Sequence, residues 1–213
     1  MSYNKTSLIL DYFSPHKISN RSAYWLGFIQ TDGCIYYIVI NNYPAKYLVI
    51  CLAPLDEEHL HKFKKDIEYT GKIRHYKDKN VSISIGHKDF VEYIEQWGIT
   101  PRKTFTTKLI QMPDEFYSHY IRGLVDGDGS VYYRQNSYPV INISSASMKF
   151  LEQLQEVIFR LINIRGYINK MSGKNAWRLI WNKQDSHTLA SYVYKDKQDL
   201  YLERKYNKFY SLI

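Results

Sequence analysis

The sequence predicts an α+β fold built from two similar halves, each running helix, two strands, helix, two strands, helix. Three observations predict it. One nine-residue pattern occurs twice, 96 residues apart. Apolar alternation of strand type follows each copy, and apolar spacing of helical type follows each alternation. The 213-residue chain is long enough for both halves to bury a core, and a net charge of +8 suits a polyanionic partner.

The repeated segments are residues 25–33 (WLGFIQTDG) and 121–129 (IRGLVDGDG). Each has Gly at its third place, apolar residues at its fourth and fifth, and Asp-Gly at its end. Motif helices are expected over about 22–33 and about 115–129. After Gly33 come CIYYIVI, a turn-like NNYPA and YLVICLA; after Gly129 come SVYYRQ, NSYP and VINISSA. Each set reads as a β-hairpin. Helices follow over 56–69 and 147–162, where Leu60, Phe63 and Ile67, and then Leu151, Leu154 and Ile158, share one face. Asp56 and Ser147 are the expected N-caps. Second hairpins pair 72–76 with 81–86 and 166–171 with 176–181, and short helices over 89–97 and 185–194 close the halves. The expected division is 1–103, a linker 104–114 and 115–213. Met112-Pro113-Asp114 stops the linker and caps the second motif helix. The halves end alike, in Pro101-Arg102-Lys103 and Glu203-Arg204-Lys205.

Several classes are excluded. The longest apolar run, 47–55, is about nine residues, too short for a membrane span. Only Leu8 to Leu10 is apolar near the N-terminus, so no secretory segment is expected. Cys34 and Cys51 lack metal-site spacing and read as reduced thiols. The expected setting is intracellular: a bacterial or phage cytoplasm or an organelle. Asp126-Gly-Asp128-Gly-Ser130 starts like a calcium loop but has Val131 and Ser137 where that loop needs Gly and Glu. His59 and His61 are two apart, cannot share a helical face, and read as solvent or core-edge residues.

Ala23, Gly27 and Thr31 fall four apart on the first motif helix, and His119, Gly123 and Gly127 do so on the second. Small residues on one face let two backbones approach, so the motif helices are expected to pack together around a pseudo-two-fold axis. Asp32 and Asp128 stand at the helix C-termini, where the helix dipole disfavours a carboxylate by about 0.3–1 kcal/mol. Gly33 and Gly129 are expected as left-handed caps. Packing the helices brings the carboxylates near each other, a second penalty, and a divalent cation such as Mg²⁺ removes both.

These two motifs resemble the motif helices of single-chain LAGLIDADG homing endonucleases, over roughly residues 20 to 210. The resemblance implies a saddle of antiparallel sheets on DNA with the motif helices packed at the centre through Gly27 and Gly123. It implies divalent metal, Mg²⁺, at Asp32 and Asp128, assistance to catalysis from Lys103 and Lys205, and intron or intein mobility. No splicing residues flank the segment, so an intron-encoded or free-standing protein is expected. Gln30 stands where the second motif has Asp126, a departure that removes no metal ligand. The alternative is a non-catalytic binder on the same fold, either a maturase acting on intron RNA or a transcription regulator.

Strand parity from Asp32 places Tyr36 and Ile38, with Cys34, on the metal side, which the family uses for DNA; Ser130, Tyr132 and Arg134 follow by the same count. In the later hairpins Lys72, Arg74, Tyr76, Ser82, Ser84 and Arg178 are expected outward as DNA contacts. Matched positions differ between halves, Ile38 against Arg134 and Tyr76 against Met171, so an asymmetric site is expected. Strands of about eight residues at ~3.3 Å suit a duplex of roughly 16–20 base pairs bound by a monomer.

Overall fold

A computed structural model describes residues 7–77, 79–134 and 138–210. Helix α1 (Asn20–Asp32) begins with a reciprocal cap: Ser19 accepts from Ser22 N, and the Ser22 hydroxyl accepts from Ser19 N. It runs without a loop into β1 (Gly33–Ile40), which turns back as β2 (Tyr43–Leu52). Only Asn41 and Asn42 form the turn, at φ 49° and 67°, the left-handed pair that a two-residue hairpin requires and Asn tolerates. The expected loop NNYPA is therefore shorter than read, and Tyr43 and Pro44 are strand. Pro44 lies where β2 has β1 as a neighbour but has not yet reached β4, so its missing N–H breaks no inner ladder.

Helix α2 (Glu57–Asp66), strands β3 (Arg74–Tyr76) and β4 (Asn80–Ile85), and helix α3 (Lys88–Gln96) complete the first half. The second repeats the order: α4 (Tyr117–Gly127), β5 (Gly129–Arg134), β6 (Tyr138–Ser145), α5 (Met148–Ile162), β7 (Tyr167–Lys170), β8 (Trp177–Asn182) and α6 (Lys183–Tyr194). Each half is a four-stranded antiparallel sheet, ordered β1-β2-β4-β3 and β5-β6-β8-β7. Leu48, Ile50, Ile83 and Ile85 on one face of the first sheet meet Leu60, Phe63 and Ile67 in a common core; Ile141, Ile143 and Leu179 do the same with Leu151, Leu154 and Ile158. No helix among the described residues is long and apolar enough to cross a membrane.

The structure corrects several local expectations. Gly33 is extended, at φ −83° and ψ 145°, not left-handed. Gly33 and Gly129 are the first strand residues, and a Cβ on either would strike the carbonyl four residues back, Ile29 O or Val125 O. Close approach, not a positive φ, requires Gly there. Asp56 does not cap α2 with its side chain; it pairs with Arg204 at 2.9 and 3.0 Å across the two halves. Asp114 does not cap the second motif helix either. It pairs with Arg160, and a 3-10 turn, Asp114–Phe116, leads into α4. Ser147 does cap α5, accepting from Phe150 N.

The second half also ends differently. Lys103 opens a short 3-10 turn, Lys103–Phe105, whereas Lys205 lies in an additional helix, α7 (Glu203–Tyr210), that the sequence reading lacked. Lys205 and Phe209, four apart on α7, are its buried residues. His59 is neither a solvent nor a core-edge residue: it is 3% exposed, packed among Trp25, Phe28 and Tyr24.

Candidate active site

Helices α1 and α4 touch through their backbones. A Cβ on Gly27 would fall inside the radius of the Tyr120 carbonyl oxygen, and one on Gly123 inside that of Tyr24. The two contacts are related by the 96-residue offset, so the seam obeys the repeat. His119 is displaced from the expected small-residue stripe: the backbones meeting Gly27 belong to Tyr120 and Leu124, while His119 Nδ1 accepts from Arg122 at 3.0 Å.

This register sets the helix ends side by side. A Cβ on Gly127 would lie 3.3 Å from Asp32 Oδ2, so the Asp32 carboxylate sits against the chain immediately before Asp128. Lys103 donates to Gly33 O. Lys205, 6% exposed, donates to three carbonyls that finish α4: Val125 O at 3.1 Å, and Asp126 O and Gly127 O at 2.5 Å each. An ammonium over terminal carbonyls satisfies groups the helix leaves unpaired and complements its dipole. Each lysine thereby lies within electrostatic reach of both carboxylates.

Burial first, and then the Asp128 charge, bring the Asp32 carboxyl up to about 6 against the pull of Lys205 and Arg204. Asp128 keeps accessible surface but sits in a concavity whose walls desolvate it, which raises its carboxyl against Lys205 and Lys103. Burial lowers Lys103, and lowers Lys205 to about 8 despite the carboxylates around it. A cleft of about 130 Å³ opens beside Asp128, between Thr31, Lys103, Thr107 and Ser145.

Among the described residues no group of three or more His, Cys, Asp or Glu side chains is arranged for a metal. The donor set is two carboxylates whose proton affinity is raised by burial and, for Asp32, by its neighbour. Two hard carboxylates, well short of a full oxygen shell, fit a cation that keeps water and takes phosphate oxygens, as Mg²⁺ and Ca²⁺ do.

Behind each carboxylate lies a pin that the sequence reading did not assign. Gln30 Nε2 donates to Thr107 Oγ1 at 2.9 Å and Lys108 O at 2.7 Å, and its oxygen accepts from the Tyr120 hydroxyl. Asp126, fully buried, accepts from the Tyr24 hydroxyl at 2.8 Å, the Tyr194 hydroxyl at 3.0 Å and Leu202 N at 2.9 Å. Tyr24 has one hydroxyl hydrogen and gives it to Asp126, so its oxygen accepts from His59 Nε2 at 2.8 Å. Burial lowers His59 to about 3 and keeps it neutral. The buried Arg122 donates to Leu200 O and Val193 O. Tyr24 with Tyr120 and Gln30 with Asp126 stand at the repeat offset, which was the available signal.

The DNA-contact candidates divide. Lys72, Arg74, Tyr76 and Ser130 are exposed, and Tyr36, Ile38, Ser84, Tyr132 and Arg178 keep accessible surface. Ser82 does not fit the expectation: it is 4% exposed, wedged between Cys51 and Arg74 on the flanking strands. Arg134 pairs with Tyr138 in β5, and its side chain lies outside the described residues.

Residues 115–194 match the model of the LAGLIDADG-like domain. Solved structures match both halves. I-SmaMI bound to cleaved DNA shares 16% identity at TM-score 0.63, covering 92% of this chain and 88% of that one. I-AabMI bound to uncleaved DNA shares 15% at 0.59, covering 84% of each. The homing endonuclease I-DmoI, in mesophilic variants, shares 17% at 0.62, covering 82% and 88%. The chain carries a LAGLIDADG-like domain on the LAGLIDADG homing-endonuclease fold. No curated protein matches the sequence significantly. The α+β architecture of two pseudo-symmetric halves is thus the LAGLIDADG architecture, with motif helices α1 and α4 at its centre. I-SmaMI has also been solved with its uncleaved DNA target in the presence of calcium ions.

Proposed function

We propose that the protein is a site-specific endonuclease that hydrolyses both strands of a long, asymmetric DNA duplex as a monomer. The observation that carries the reading is the pair Asp32 and Asp128, held together at one end of two packed helices where burial disfavours their charge more than the nearby cations favour it. They are the residues that would hold Mg²⁺. The bound ion would neutralise the scissile phosphate and lower the pKa of an attacking water.

The protein's own groups hold that geometry. Lys205 locks the last turn of α4 through three carbonyls, so Asp128 leaves the helix in a fixed direction. Lys103 fixes the start of β1 behind Asp32 in the same way. Both ammonium groups add positive charge beside the pair, which favours a phosphate between the sheets. Arg74 and Arg178 supply hydrogen-bond donors for base edges, and Lys72, Tyr76, Ser84, Ser130 and Tyr132 reach phosphates or bases.

The test uses plasmids carrying about 20 randomised base pairs, the span two such sheets can follow. With Mg²⁺ the protein should linearise a small subset sharing one asymmetric sequence, and EDTA should abolish the cut. Selective binding without linearisation would assign the protein to the non-catalytic binders of this fold.

A further inference from the structure

The face of the first sheet that continues from Asp32 is poor in hydrogen-bonding groups. Residues directly opposite in an antiparallel pair share a face. Here Cys34 lies opposite Val49, Tyr36 opposite Tyr47, Ile38 opposite Ala45, and Ile40 opposite Tyr43. Those eight positions hold no charge and no amide. The Tyr36 and Tyr47 rings stack, 5.3 Å apart and 7° from parallel. Beyond them Ile38, Ile40 and Tyr43 are exposed by 38%, 43% and 75%, a large apolar surface for a two-stranded ribbon.

The opposite side of the ribbon is closed to an anion. Lys46 is held by Glu95 at 2.7 Å and Glu92 at 3.1 Å, and the Tyr37 hydroxyl donates to Glu95. On the open side, β3 brings Arg74, and Lys72, Lys77 and Lys79 flank it, all exposed. The apolar strip therefore begins at the paired carboxylates, and Arg74, across Ser82 and Cys51, stands level with that end of it. Whatever lies on it must also meet Asp32.

We propose that this strip reads thymine 5-methyl groups, so that the half-site beneath the first sheet is rich in A·T pairs. The inference rests on the endonuclease reading above. The thymine methyl is the apolar feature that a major groove offers. Apart from the tyrosine hydroxyls the strip returns no hydrogen bond to either base pair, and of the two only A·T carries the 5-methyl whose burial offsets the lost water, so G·C pairs are disfavoured. The second sheet is built otherwise. Arg178 lies between Ser144 and Asn169 on its neighbouring strands, a guanidinium and an amide that pair with guanine and adenine edges.

The experiment selects wild-type protein on randomised duplexes in Ca²⁺ and sequences the bound fraction. Ile38→Asn and Arg178→Ala then show which half of the selected site lies under which sheet. Deoxyuridine next replaces thymidine in one half at a time, removing the methyl and keeping the base pairing. The expected result is a thymine-rich half under the first sheet, with binding weakened about fourfold per contacted methyl there and by less than about twofold in the other half. A G·C-rich half under the first sheet, or indifference to deoxyuridine, overturns the proposal. Self-association lost in Ile38→Asn, together with that indifference, gives the strip to a second copy of the chain and also overturns it. If wild-type protein enriches no sequence at all, the endonuclease reading itself fails, and this one falls with it.

Discussion

Gln30 and Asp126 occupy the same place in the two halves and fasten the same thing, the end of a motif helix to the segment bearing a lysine. They do so with different chemistry. The segment after Lys103 offers acceptors, Thr107 Oγ1 and Lys108 O, so the first half uses an amide that both donates and accepts. The segment before Lys205 offers donors, Leu202 N and the Tyr194 hydroxyl, so the second half uses a carboxylate, which only accepts. The difference teaches that this motif position is set by its structural partner. The last Asp of each motif, unchanged between halves, is not set that way.

The largest expected effect tests the part that is the same. If Asp32 and Asp128 form one centre, Asp32→Asn and Asp128→Asn should each slow both strand cuts by roughly two orders of magnitude, the scale of ~3 kcal/mol of lost transition-state stabilisation. Strand-labelled duplex shows it directly. One variant that nicks a single strand at the wild-type rate would separate the halves into independent sites.

The seam comes next. Gly27→Ala and Gly123→Ala each place a Cβ against a backbone carbonyl that cannot swing away, and overpacking of this kind costs about 1–3 kcal/mol. Thermal melts should show equal losses in both variants, because the contacts are related by the repeat. An unchanged melting temperature in either would mean the backbones do not meet.

The pins should then separate the halves. Tyr24→Phe removes a donor from a buried carboxylate, and Tyr120→Phe removes one from an amide. Hydrogen bonds to charged groups contribute about 1.5–3 kcal/mol and neutral ones about 0.5–1.5, so Tyr24→Phe should be the more damaging in denaturant titrations. Equal losses would show that Asp126 carries no charge in the fold.

The smallest effect is electrostatic. Asp32 has an ordinary value of 3.8 and a folded value of about 6. Between them the folded chain holds more protons than the unfolded one, so this group's contribution to stability falls as pH rises through that window. Above it the ionised pair costs on the order of 1–2 kcal/mol, allowing for the solvent that reaches it. Asp32→Asn without DNA should therefore melt a few degrees higher than wild type at about pH 7, and equally below about pH 3.5. Mg²⁺ should raise the wild-type melting temperature and leave that of Asp32→Asn unmoved.

The sequence by itself determined the repeat and nearly every element. Periodicity is local, and the offset of 96 residues carries it from one half to the other. It also singled out Asp32 and Asp128, because carboxylates at helix C-termini contradict local stability. Helix α7 is masked in the sequence, because the likeness of residues 203–205 to 101–103 covers the start of a short amphipathic helix.

Other features were decided only by tertiary structure. Gly33 and Gly129 looked like left-handed caps, yet they are extended, since the chain must pass straight from helix to strand against the previous turn. Ser82 has the parity of a DNA contact and is buried, because parity fixes a face while neighbouring side chains fix exposure. His59, Arg122, Gln30 and Asp126 find partners far away in sequence. A buried polar group is chosen by the donors and acceptors that folding brings to it, and no local pattern records which those will be.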